Sequence, residues 1–192
     1  MKKLLITGFD PFGGESVNPS WEAVKLLPDT VGNYQLYKLQ IPTVFGLAPQ
    51  KVLEAARAIE PDVIISVGQA GTRDFITPER IGINMRSARI ADNAGRIPVE
   101  ERIVPGGPDG LFSTLPVAAM VDAIRAANLP ATISNTAGTF VCNDTLYSLL
   151  HHYQGTPVRC GFIHVPWLPE QGTPNLTLEH TVQALIAAIS AL

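Results

Sequence analysis

The chain has 192 residues, 46% of them hydrophobic and 16% charged, with a net charge of -3. That is the balance of an ordinary globular protein of one domain, spanning residues 1–192, with a full core. It excludes a basic nucleic-acid-binding surface, and no stretch approaches the roughly 18 apolar residues of a membrane span. Two cysteines make no disulfide framework, which points to a reducing, cytoplasmic location.

The opening "MKKLLITGFD" has the look of a leader, but its apolar run stops at Gly8 and Asp10 without a cleavage site. It is expected to form a first buried strand over residues 3–7. Asn18 and Pro19 then open a helix as N-cap and first helical residue. Tyr34–Ile41 alternates like a strand, and Leu47–Ile59 carries Val52, Leu53, Ala56 and Ile59 at helical spacing. "PDVIISVGQ" is a continuous β-branched run of the kind covered on both faces. "PVAAMVDAIRAANL" predicts a helix, "ATISN" a strand, residues 141–153 a helix and "VRCGFIHVP" a further buried strand. Leu178, Val182, Leu185, Ile186 and Ile189 mark one face of a last helix. The alternation predicts an α/β fold with an open, mostly parallel sheet between two helical layers. Residues 79–115 lack a helical period; additional strands and a projecting loop, suited to a subunit contact, are expected there.

In open α/β sheets, ligands bind beyond the carboxyl ends of the strands. The chain places Phe9 and Phe12 after the first strand, and Gln69 after "VIISV", with Arg73 and Glu79 further on. "TAGTFVCND" follows "ATISN", and His164 ends the last strand. Cys142 lies in the first turn of a helix, where unpaired amides and the dipole favour a thiolate and could hold an oxyanion. The bland alternative is a small buried hydrophobe, as Cys160 in mid-strand is expected to be. His164 is a candidate base, although a lone histidine in that position is more often a hydrogen-bonded core residue. Position leaves Glu79, Asp10, Asp74 and Asp92 as equal candidates for a third partner. No Cys/His/carboxylate spacing matches a metal site.

The blocks "TGFDPFGGESVNPSWEAV", "VGQAGTR", "PERIGIN", "NTAGTFVCN" and "GFIHVPWLPEQ" cover nearly the whole chain. In that order and spacing the sequence resembles the pyroglutamyl peptidase I (pyrrolidone carboxyl peptidase) family of cysteine peptidases. The resemblance implies an α/β/α sandwich, no cofactor, a homotetramer, and a catalytic set that falls on Glu79, Cys142 and His164. It implies peptides with an N-terminal pyroglutamate as substrates, released through a thioester. Phe9 and Phe12 would wall the pocket, with Phe140 and Val141 beside the nucleophile, Gln69 on the rim and Arg89 assisting the oxyanion. Asp144 stands where an aromatic or a histidine is common in the family, and is expected to be a tolerated surface difference. Two other classes fit an open α/β sheet with glycine-rich rim loops. One is a nucleoside-phosphorylase-like enzyme, although "GFDPFGG" matches no phosphate-loop pattern. The other is a small-ligand-binding module without catalysis.

Overall fold

A computed structural model describes residues 1–192. In chain order its elements are β1 (Lys2–Phe9), α1 (Pro19–Leu26), β2 (Thr30–Val31), β3 (Tyr34–Ile41), α2 (Leu47–Ile59) and β4 (Val63–Gln69). There follow β5 (Thr77–Pro78), β6 (Ile81–Ile83), β7 (Gly110–Phe112), α3 (Val117–Ala126), α4 (Val141–His152), β8 (Arg159–Val165) and α5 (Leu178–Ser190). The main sheet runs β2-β3-β1-β4-β8-β5. Its four central strands are parallel, and the two-residue strands at its edges are antiparallel.

Strand alternation explains the layers. Leu4 and Ile6 of β1, Val63, Ile65 and Val67 of β4, and Ile163 and Val165 of β8 point to one face. There they meet Val24 of α1, Met120 and Ile124 of α3, and Leu185 and Ile189 of α5. Leu5 and Phe9, Ile64, Cys160 and Phe162 point to the other face, against Val52 of α2 and Val141, Leu146 and Leu149 of α4. Both faces are therefore covered, and the result is the expected α/β/α sandwich. No helix is long and apolar enough to cross a membrane.

Local chemistry places these elements. The Asn18 side chain accepts from Ser20 N, with Pro19 at the first helical position, so α1 starts where the sequence puts it. Gly8 lets α1 lie directly on β1: a Cβ there would sit 2.6 Å from Trp21 Cα. One expected strand is different. "ATISN" contributes only isolated bridges, Ile76 to Ala131 and Glu79 to Ser134, rather than a continuous ladder. Pro78 has no N–H to give its neighbour, which interrupts the pairing at the edge.

Residues 79–115 contain β6 and β7, paired antiparallel as a separate two-stranded sheet. Between them, residues 84–109 arch back over the rim. They are held to themselves by the Arg86–Glu101 bridge and by Ala88 N donating to Pro98 O. The expected additional strands are present, but the loop between them folds back onto the rim instead of projecting.

Candidate active site

The carboxyl ends of β1, β4 and β8 form one rim. His164 is the sixth residue of β8, buried, and register partner of Gly68 on β4. Its Nδ1–H donates to Oε1 of Glu79 over 2.7 Å. Glu79 follows β5, is fully buried, and is fixed by its own amide, which donates to Phe162 O over 2.9 Å. Of the four carboxylates left open by position, Glu79 alone meets His164. Asp10 and Asp92 bind backbone amides elsewhere, and Asp74 is exposed. Burial pushes the Glu79 carboxyl up, but the bond from His164, its charge, the nearby Ser134 hydroxyl and the Arg73 guanidinium more than offset it. The net effect holds Glu79 below the usual range. His164 is pulled below the ordinary histidine value, chiefly by burial and in part by Arg73, against the opposite pull of Glu79.

Cys142 is the second residue of α4 and keeps part of its surface open. It projects from α4 onto the face that carries His164. A Cβ on Gly68 would lie 2.9 Å from Cys142 Sγ, so the sulfur abuts the strand residue paired with His164. No hydrogen bond joins the thiol to the imidazole; with Nδ1 committed to Glu79, Nε2 is the nitrogen left for a second partner. No side chain caps the start of α4, and Asp144 N is the first α4 amide with a backbone acceptor. The three amides ahead of it, from Val141 to Asn143, have no backbone acceptor, the condition under which a helix start can serve an anion. The thiolate expected from the helix start is not the resting form. Burial, and then the Glu79 carboxylate, push the Cys142 thiol up to about 12. The Arg73 guanidinium and a backbone hydrogen bond pull the other way without offsetting them.

The aromatic residues divide by depth. Phe9 is 2% exposed and Val141 fully buried, and both belong to the core beneath the rim. Phe9 packs on Phe162 with centroids 6.1 Å apart, and Phe162 on His164 at 4.7 Å, so Phe9 supports the imidazole from below. Phe12 and Phe140 are half-buried, 5.8 Å apart, and Phe45 meets Phe140 edge-on at 5.2 Å. Gln69 points to the opposite face of β4, where its side-chain oxygen accepts from Gln171 Nε2 over 3.3 Å. Arg89 is exposed and makes no hydrogen bond, so its position gives no sign of an oxyanion role.

Asp144 overturns its expectation outright. It is fully buried: Oδ1 accepts from Arg86 Nε over 2.7 Å and pairs with its NH2 at 2.7 Å, and Oδ2 accepts from Gly46 N over 2.7 Å. An acid early in a helix looks solvent-facing in sequence, but the 84–109 arch folds across it and brings its own cation. Asn143 makes the adjoining clamp, accepting from Ile83 N and donating to Ile83 O and Met85 O. The turn that carries Phe45 is gripped by three acids. Asp10 accepts from Thr43 N, Asp92 from Phe45 N and Asp144 from Gly46 N. Phe45, Asn143 and Arg86 went unnoticed in the sequence, because each acts across at least 58 residues of chain or through a ring stack.

The model of the pyroglutamyl peptidase family matches residues 2–192. The chain belongs to that family. It is 51% identical to a pyrrolidone-carboxylate peptidase of Levilactobacillus brevis, over 99% of this chain and 97% of the relative. With a pyrrolidone-carboxylate peptidase of Finegoldia magna it shares 48% identity, over 99% and 92%. Among solved structures it is similar to Bacillus amyloliquefaciens pyroglutamyl peptidase I, with TM-score 0.96 and 47% identity over 100% of this chain and 96% of that one. The pyrrolidone carboxyl peptidase of Thermococcus litoralis gives TM-score 0.95 at 38% identity, over 100% and 93%. The phosphorylase-like and non-catalytic alternatives gain no support from these relatives.

Proposed function

We propose that the chain is a cysteine exopeptidase that hydrolyses the amide bond after an N-terminal pyroglutamyl residue. The observation that carries this reading is the family match along the whole chain, into which the Glu79–His164 pair and the α4 thiol fit as working parts. His164 Nε2 takes the proton from Cys142 as the sulfur attacks the carbonyl carbon, and Glu79 holds the imidazole and stabilises its charged form. With a thiol raised to about 12, proton transfer accompanies attack rather than preceding it. The open amides at the start of α4 receive the oxyanion. His164 then protonates the departing amine, leaving a thioester at Cys142. Water, deprotonated by the same nitrogen, releases pyroglutamate and restores the thiol.

Specificity follows from solvation. The half-buried rings of Phe12 and Phe140, braced by Phe45, offer apolar contact to a neutral lactam. A free N-terminal ammonium would have to give up its water to enter between those rings. The exposed Ile90, Ile97 and Val99 of the 84–109 arch suit a contact between copies, in keeping with the tetramer that the resemblance implies. The two unpaired cysteines fit a cytoplasmic setting. The test compares release of a chromophoric amine from pyroglutamyl, prolyl and glutaminyl amides, by the wild type and by Cys142→Ala. The expected result is cleavage of the first amide alone, abolished in the variant. Activity retained by pure Cys142→Ala, or equal cleavage of the glutaminyl amide, would overturn the reading.

A further inference from the structure

The turn after β4 doubles back, with Arg73 N donating to Ala70 O, and sends a guanidinium beneath β5. Its NH1 donates to Thr77 Oγ1 and to Glu79 Oε1, each over 2.6 Å, and its NH2 to Thr136 O over 2.7 Å. Oε1 is also the oxygen that accepts from His164 Nδ1. Oε2 of the same carboxylate is buried and has no partner. Arginine usually meets a carboxylate with its fork across both oxygens. Here the cation and the imidazole share one oxygen, while the other makes no direct hydrogen bond and has only the Ser134 hydroxyl in its neighbourhood. A guanidinium needed only to neutralise a buried acid would gain by using both.

We propose that Arg73 is a positioning residue which, by sharing Glu79 Oε1 with His164, sets how strongly the carboxylate holds the imidazole and its proton. The inference rests on the assignment of Glu79, Cys142 and His164 above. With Arg73 in place, the resting trio of Arg73, Glu79 and His164 is neutral overall, and protonating His164 leaves it with a net positive charge. Without Arg73, the resting pair carries a buried negative charge that protonation would cancel. The charged groups acting on His164 are Glu79 and Arg73, and the uncharged thiol of Cys142 faces the same rim from α4. The neighbouring Phe162 ring carries no charge. Arg73 pulls the imidazole down while Glu79 pulls it up, so the cation keeps the base free to accept the nucleophile's proton.

The test is the pH dependence of kcat/KM on a chromogenic pyroglutamyl amide, whose acid limb reports the base of the free enzyme. Arg73→Gln is expected to move the midpoint of that limb upward by roughly one pH unit. Arg73→Lys keeps the cation and should restore the midpoint, with a lower plateau because one amine cannot make all three contacts. A merely structural role would lower the plateau and Tm in both variants and leave the midpoint still. An unmoved midpoint in Arg73→Gln overturns the proposal. If that variant does not fold, Arg73→Met, which also removes the charge, takes its place and is read in the same way. Loss of activity in Cys142→Ala and His164→Asn alongside an unmoved Arg73→Gln midpoint sinks Arg73 alone. Activity retained in those two variants sinks the assignment beneath it.

Discussion

Gly68 has no room for a side chain. A Cβ there would meet Phe162 Cζ at 2.7 Å and Cys142 Sγ at 2.9 Å. The ring cannot retreat, because Phe162 is buried between Phe9 and His164. The sulfur has to move instead. Gly68→Ala is therefore expected to lower kcat/KM by about 100-fold, the usual cost of a 1 Å misplacement at a reacting group. It should also cost about 1–3 kcal/mol of stability through overpacking. Steady-state kinetics and denaturant unfolding check both; a near-wild-type rate would show that the thiol is not confined by β4. The sequence marks Cys142 and His164 as candidates because each follows a turn or ends a strand. It cannot mark Gly68, whose constraint exists only once β4, β8 and α4 have met. Glu79 was legible through resemblance alone, since a charge beside Arg80 looks exposed until the 69–79 turn closes over it.

The start of α4 works as an anchor as well as a site. Asn143 and Asp144 follow the thiol directly, and both are fully buried against the 81–86 backbone and the α2 turn. Asp144→Ala leaves the Arg86 guanidinium, whose side chain is 15% exposed, without its carboxylate. Breaking a buried pair in this way costs about 3–5 kcal/mol, and the Gly46 amide loses its acceptor as well. Urea unfolding should register that loss, with Asp144→Asn falling between it and the wild type because an amide oxygen still accepts. A change under 1 kcal/mol in Asp144→Ala would show the clamp to be incidental. The helices α2 and α5 were legible because one face of each is apolar, and β4 and β8 because each is a continuous apolar run buried on both sides. The 84–109 arch was not, for it is held by side-chain bonds to Asp10 and Asp144 and by a backbone bond from Asn93 to Thr43, and such pairings leave no periodic trace. "ATISN" misled because β propensity survives in a segment whose partner strand is cut short by a proline.

At the scale of the molecule, burying an acid and an imidazole together makes stability depend on pH in two windows. His164 has a folded value below its ordinary 6.5. Between those two values the unfolded chain binds the proton and the folded chain does not, so stability rises with pH there and falls as acid is added. Its contribution is complete above 6.5 and is lost as pH drops through the folded value. Glu79 has a folded value below its ordinary 4.5. Its contribution is present above 4.5 and disappears lower still, as the buried carboxylate is finally protonated. Asp144 has the opposite sign, with a folded value above 3.8, so between 3.8 and that folded value it offsets part of the loss. The expected record is a decline in unfolding free energy beginning just below pH 6.5, with a slope of at most about 1.4 kcal/mol per pH unit from this one group. A second decline follows below 4.5. His164→Asn removes the group responsible for the upper step while leaving a polar side chain in its place, so its stability should be flat from pH 7.5 to 5.5. Urea titrations of both proteins at pH 7.5, 6.5, 5.5 and 4.0 separate the steps. A wild type equally stable at 7.5 and 5.5 would mean that His164 takes its proton as readily when folded as when unfolded, and that the burial drawn here does not exclude water from the imidazole.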